Sequence, residues 1–200
     1  MLRLLGRATS GNVQKVVFLL EEIGEPYRRE DYGRQFGNTQ DAAYLRLNPH
    51  GKVPTLVDGD TVVWESNTIL RYIANTRSTS LYPKDPAARS EVERWMDWLL
   101  AALNAPYIGI FKEAKKPAGE RAPSWAADAA ELKAQLAILD GAIGGRPWIA
   151  GQEMSLADIC LGPVLHRCLD FPIELPALDR LKAWRARLAD RPAFRKAIGG

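Results

Sequence analysis

The stretch Asn48–Ser66, NPHGKVPTLVDGDTVVWES, decides the fold of this chain. Val53-Pro54 opens an extended run, Pro54–Asp58. Asp58-Gly59 is a strong hairpin signal, because glycine supplies the positive φ that tight turns between strands require. A second apolar run, Thr61–Trp64, follows it, and Glu65-Ser66 opens a helix carrying Ile69, Leu70 and Ile73. This order sets a conformationally restricted proline beside a strand and close to a helix N-terminus. Such a combination can hold a small, extended peptide that bears a carboxylate, since free N–H groups at a helix start attract anions.

Working back from this stretch, Leu2–Leu5 reads as a short apolar strand. Val13, Val16, Val17 and Leu20 recur at helical spacing, and Gly24 stops that helix. Tyr27–Tyr32 reads as a second strand, and Gln40–Leu47 as a short helix ended by Asn48-Pro49. The expected order is βαβαββα. A strand–helix–strand unit followed by a hairpin and a helix is the thioredoxin-like pattern.

Working forward, Ser78–Pro86 (STSLYPKDP) is polar and proline-bearing and reads as a linker. Beyond it no strand pair is visible. Val92, Trp95, Met96, Leu99 and Leu103 line one helix face, and Leu132, Leu136, Leu139 and Ile143 line another before Gly144-Gly145. Ser155-Leu156-Ala157-Asp158 has the form of a capping box. Leu178, Leu181 and Leu188 mark a late helix before Pro192. Pro106 and Pro163 are expected to bend or interrupt their helices. The reading is therefore an α/β thioredoxin-like domain over residues 1–77, a linker over 78–86 and an all-helical domain over 87–200.

Composition narrows the function classes. The chain has 200 residues, 46% hydrophobic and 26% charged, as in ordinary soluble globular proteins. A net charge of +3, from 27 basic and 24 acidic residues, is too balanced to demand nucleic acid or an anionic membrane. Lys112, Lys115, Lys116 and Arg121 read as a solvated face. Cys160 and Cys168 fall eight residues apart in a helical stretch, about 12 Å along the axis and beyond disulfide reach. That fits a thiol-reducing, cytoplasmic compartment. No secretory leader and no membrane span are expected. His50 and His166, the two histidines, lack a metal-ligand spacing with Cys, Asp or Glu, so no metal is expected.

Ser10-Gly11-Asn12, Asn48-Pro49, Lys52-Val53-Pro54, Glu65-Ser66 and the Ser155–Asp158 box, in this order and spacing, resemble the cytosolic glutathione transferases of bacterial type. The resemblance spans nearly the whole chain, and Ser10 and Asn12 resemble the serine/asparagine types, theta-like or nu-like. It implies a thioredoxin-like half and a helical half, glutathione as co-substrate, an electrophilic and mostly apolar second substrate, and a homodimer active in detoxification.

Each site residue carries two readings. Ser10 and Asn12 are favoured helix caps. The resemblance implies that they hydrogen-bond the sulfur of glutathione, with Thr9 as a local competitor. A thiol of pKa about 8.5 is only a few per cent ionised at neutral pH, and donors to its anion raise that fraction. Val53-Pro54 is an ordinary strand start or, by resemblance, a cis bond that turns the Val53 backbone toward the cysteinyl unit like an added strand. Lys52 is a solvated lysine or a partner of the glycyl carboxylate. Glu65 and Ser66 cap a helix and, by resemblance, take the γ-glutamyl ammonium and carboxylate. His50 reads as a loop residue. Gln35 and Asn38 follow the second strand, where relatives supply a further glycyl contact, and neither is assigned. Trp95, Trp98, Tyr107 and Phe111 read mostly as core, some of them available to an apolar second-substrate pocket.

The chain also departs from other classes. Leu5 and Gly6 stand where tyrosine-type relatives carry a thiol-activating tyrosine, and no cysteine precedes Cys160. This half therefore has no reactive sulfur of its own. Two rivals to transferase chemistry remain open: glutathione-dependent reduction of disulfides or peroxides, and a non-catalytic ligand-binding module.

Overall fold

The computed structural model describes residues 1–77 and 79–199. The chain forms two compact units. One contains Met1–Tyr82 together with the segment from Ala189 onward, and the other is Pro83–Leu188. Of the expected linker, Ser78 lies outside the described residues, as does Gly200 at the end of the expected helical domain. Leu81 and Tyr82 are buried, and Pro86 already belongs to a helix.

The first unit is thioredoxin-like. Strands β1 (Leu2–Leu5), β2 (Tyr27–Glu30), β3 (Thr55–Asp58) and β4 (Thr61–Trp64) form a mixed sheet in the order β2-β1-β3-β4. The β1–β2 pair is parallel, and both β1–β3 and β3–β4 are antiparallel. The hairpin loop consists of Gly59 and Asp60, one position beyond the Asp58-Gly59 signal, with Gly59 at φ 58°. Strand β2 stops at Glu30, two residues short of the expected Tyr32.

Helix α1 (Gly11–Ile23) ends at Gly24 in the left-handed conformation, where the absence of Cβ removes the steric penalty. Its residues Val13–Leu20 are all buried, so the helix is covered all round and not on one stripe. Helix α2 (Ala42–Leu47) is preceded by a 3-10 turn at Asn38–Gln40, and α3 (Ser66–Thr76) follows the hairpin.

The second unit is all helical among its described residues. Helix α4 (Pro86–Trp98) begins with Asp85 accepting from the Ala88 N–H and Pro86 in its first turn. It runs through a π turn, Leu99–Leu103, into α5 (Asn104–Glu113). A proline ring clashes with the carbonyl four residues earlier. For Pro106 that residue is Ala102, inside the widened turn. The expected interruption is thus displaced upstream of the proline. Pro163 lies within α7 (Leu156–Cys168) without ending it.

Helix α6 (Trp125–Ile143) packs on α5, and α7 packs on α4. Leu99, Leu103, Leu132, Leu136, Leu139, Leu161, Leu165 and Leu188 fill the core. Helix α8 (Asp179–Ala189) is held at its start by Asp140, whose carboxylate accepts from the Leu181 N–H at 2.8 Å. Cys160 and Cys168 are free and buried, and burial pushes the Cys168 thiol up.

Helix α9 (Pro192–Ile198) belongs with the first unit, although sequence reading grouped it with the helical half. It packs on α1, with the Phe194 ring edge-on to Phe18 at 5.2 Å. Arg191 pairs with Glu22, and Lys196 reaches Glu21 at 2.7 Å.

Candidate functional site

Sheet register brings the sequence-expected residues to one end of the first unit. Leu5 at the end of β1 pairs with Thr55 at the start of β3, and Thr55 pairs with Trp64 at the end of β4. The loop Gly6–Ser10, the segment Lys52–Pro54 and the residues Glu65-Ser66 therefore emerge from the same edge. Leu5 also pairs with Glu30, so the loop after β2 joins them.

Gly6 allows the close approach. A Cβ at that position would fall 2.5 Å from Val13 Cγ2 and 3.3 Å from Val53 Cβ. The β1–α1 loop, the first turn of α1 and the Val53 segment thus meet at a residue with no side chain. Gly6→Ala is expected to lower stability by about 2 kcal/mol through overpacking, read as a lowered urea midpoint at constant m-value.

Ser10 occupies the N-cap position of α1 and is 7% exposed. Its carbonyl accepts the Gln14 N–H at 2.8 Å, but its hydroxyl makes no capping hydrogen bond. The cap is made by backbone alone, which leaves the hydroxyl at the positive end of the helix. Asn12 and Thr9 are exposed beside it.

The Val53-Pro54 bond is cis. Its segment rests on a polar network that sequence reading missed. Asn48 Nδ2 donates to the Lys52 carbonyl at 2.8 Å and to Thr55 Oγ1 at 3.0 Å, while Asn48 Oδ1 accepts the His50 N–H at 3.0 Å. The Tyr44 hydroxyl donates to the same Lys52 carbonyl at 2.6 Å and lies 2.9 Å from Thr55 Oγ1. Tyr44 has one proton to give, so the Thr55 hydroxyl donates to Tyr44. Tyr32 stacks on the Tyr44 ring at 5.0 Å, and burial pushes the Tyr44 phenol up.

The Lys52 side chain is exposed, so its carbonyl is anchored while its ammonium faces solvent. Asn48→Ala is expected to cost about 2 kcal/mol, because it removes three hydrogen bonds made by a buried side chain, although Tyr44 still pairs with the Lys52 carbonyl and Thr55. Urea unfolding measures it, and a loss below about 0.5 kcal/mol would mean that the loop holds itself without Asn48.

Glu65 is the N-cap of α3 at φ 69°, ψ 118°, a conformation that non-glycine residues rarely adopt. Strain of this kind is retained where surroundings over-determine it, and it clusters at ligand clamps. Ser66 opens the helix at 4% exposure, with Asn67 beside it at 3%.

The unassigned Asn38 brackets the loop after β2. It accepts the Gly33 N–H and donates to the Asp31 carbonyl, both at 3.1 Å. Gln35 and His50 are exposed. In the helical unit His166 is half-buried. Burial, with Arg185 donating to Nδ1 at 3.2 Å, lowers its pKa. Among the described residues no group of three or more His, Cys, Asp or Glu could hold a metal ion, and no helix is long and apolar enough to cross a membrane.

This edge offers a hydroxyl at one helix start, an anchored extended segment and the N–H groups of a second helix start. It can therefore receive a peptide with an anionic sulfur and a carboxylate at separate points.

Comparison with known proteins identifies the family. Residues 2–75 match the family model "Glutathione S-transferase, N-terminal domain", and residues 96–192 match "Glutathione S-transferase, C-terminal domain". Glutathione S-transferase GstB of Escherichia coli (strain K12) is 36% identical over 99% of this chain and 98% of its own length. The Disulfide-bond oxidoreductase YfcG of the same strain is 27% identical over 96% of this chain and 92% of its own. The theta class glutathione S-transferase from the citrus canker pathogen Xanthomonas axonopodis pv. citri, solved with glutathione bound, superposes with a TM-score of 0.94. It is 37% identical, over 100% of this chain and 97% of that one. By fold, by the order of its motifs and by these matches, the chain belongs to the glutathione S-transferase family.

Proposed function

We propose that this protein is a glutathione transferase of the serine/asparagine type. Ser10 and Asn12 stabilise the thiolate of bound glutathione, which then attacks an electrophilic, mostly apolar co-substrate. The observation that carries this reading is the Ser10 hydroxyl, set at the N-terminus of α1 and unused as a cap. Lowering a thiol pKa by two units takes about 2.7 kcal/mol, within reach of two donors and a helix dipole.

The other residues divide the tripeptide between them. The Val53 backbone, at the cis bond to Pro54, pairs with the cysteinyl unit, and Lys52 takes the glycyl carboxylate. The Ser66 hydroxyl and the α3 N–H groups take the γ-glutamyl carboxylate, and Glu65 its ammonium. Binding the tripeptide at both ends positions its sulfur, which is the protein's main contribution besides ionising it. We assign the protein to the cytoplasm, as a homodimer active in detoxification. We keep the division along the chain at 1–77 for the thioredoxin-like domain, 78–86 for the linker and 87–200 for the helical domain, with the segment from Ala189 onward packed in the first unit.

Ultraviolet difference titration of the thiolate tests the mechanism. The bound thiol is expected to ionise about two units below its free value of roughly 8.5. An unchanged pKa rejects the assignment.

The likeness to a disulfide-bond oxidoreductase supports a second reading, glutathione-dependent reduction of disulfides or peroxides. The absence of a cysteine before Cys160 means that glutathione would supply the redox sulfur there too. Turnover of a small disulfide or hydroperoxide exceeding that of a halogenated aromatic would select this reading. Failure to bind immobilised glutathione, with no thiol-dependent turnover across a panel of electrophiles, would leave a non-catalytic binding module.

A further inference from the structure

Lys15 is buried to 1% exposure in the second turn of α1, one of the most enclosed large side chains of the protein. Lysine is almost never fully buried without a compensating partner. A methionine or leucine would fill the same volume without the cost of desolvating an ammonium. Packing therefore does not account for the choice of residue.

Its placement does. Lys15 Nζ donates to Asn67 Oδ1 at 3.4 Å in a buried contact. Asn67 is the second residue of α3, directly after Ser66, and α1 and α3 pack against one another. The lysine thus links the helix that starts at Ser10 to the helix start formed by Glu65 and Ser66. Lys15, Ser66 and Asn67 are all below 5% exposed, so solvent screens little between them.

We propose that Lys15 is a positioning residue for glutathione: its buried ammonium holds Asn67 and adds positive potential behind the α3 N-terminus, strengthening the hold on the γ-glutamyl carboxylate. This inference rests on the glutathione-binding reading above. It adds a residue from α1 to the end of the site opposite the sulfur. The positive potential beside the α3 N-terminus acts on an anionic ligand there, so affinity for that ligand carries the signature.

Calorimetric titration distinguishes this from a purely structural role. The ligands are glutathione and 4-aminobutyryl-cysteinyl-glycine, which keeps the amine and the thiol but lacks the γ-glutamyl carboxylate. Lys15→Met and Lys15→Gln are expected to weaken glutathione about tenfold, equivalent to about 1.4 kcal/mol. Binding of the decarboxylated analogue should stay unchanged, and Lys15→Arg should restore glutathione binding to within about threefold of wild type. Lys15→Gln keeps a donor for Asn67 and serves if Lys15→Met does not fold. Equal losses for both ligands, or no loss for either, overturns the role of Lys15. A wild-type protein that does not bind glutathione overturns the underlying reading as well, and the two failures are separated by that control.

Discussion

Asp158→Ala is expected to lower the unfolding free energy by about 4 kcal/mol, because it strands four hydrogen-bond donors around a fully buried carboxylate. Asp158 Oδ1 accepts the Ile149 N–H at 3.0 Å and the Trp184 indole N–H at 2.7 Å. Oδ2 accepts the Ser155 N–H at 2.9 Å and the Ser155 hydroxyl at 3.2 Å. One side chain therefore joins the loop before α7, the cap of α7 and a tryptophan on α8.

The individual costs do not simply add. Burial pushes the Asp158 carboxyl up while its donors, Ile149 foremost, pull it back. Removing the carboxylate recovers part of its desolvation cost, and the Ser155 hydroxyl can turn to another acceptor. What remains is a set of backbone and indole N–H groups with nowhere to bond. Urea unfolding followed by circular dichroism measures the loss. Trp184→Phe removes one donor and leaves a smaller aromatic ring in a fully buried position, and should cost about 2–3 kcal/mol. It serves as the readable variant if Asp158→Ala does not accumulate as folded protein. A loss below about 1 kcal/mol for Asp158→Ala would show that the network is not what holds this corner together.

Ser10→Ala is expected to reduce kcat/KM about a hundredfold, the usual loss for one preorganised donor to a developing or stabilised anion. The bound thiol pKa should climb toward its free value in the same variant. Stability should change little, since the hydroxyl makes no capping bond to lose. An ordinary capping serine would give the reverse pattern, roughly 1 kcal/mol of stability and no specific effect on the thiol. The two measurements therefore separate the roles that the sequence leaves superimposed at this position. Asn12→Ala should cost less, because Asn12 is exposed and competes with water for any bond to sulfur. A full rate in Ser10→Ala, with loss in Thr9→Ala, would pass the role to Thr9.

Much of the fold was legible because it rests on local chemistry. Gly24 ends α1, the Asp58-Gly59 signal falls at the hairpin, and the Ser155–Asp158 box caps α7. Each depends on residues within a few positions of one another. The expected site segments also lie on one edge of the sheet, since βαβ and hairpin connections constrain which strand ends are neighbours.

The features that escaped the sequence are long-range. Asn48 marked a helix end, but its bonds to Lys52 and Thr55 depend on how a loop folds back. Lys15 lies outside the helical spacing of Val13, Val16, Val17 and Leu20 from which the helix is read. It is buried because α1 is enclosed on all sides, a property of its neighbours and not of its own periodicity. The π turn upstream of Pro106 relieves a clash whose location is set by the preceding carbonyl. The allegiance of α9 has no local signal either, because its partner residues lie at the other end of the chain.

That last pairing has a consequence during synthesis. Arg191 and its partner Glu22 are 169 positions apart. At translation rates of roughly 5–20 residues per second, α1 emerges about 10 to 30 s before α9 exists to cover it. For that interval the nascent N-terminal unit presents the Phe18 side of α1 without Phe194, an apolar surface of the kind that makes incompletely folded chains prone to aggregate.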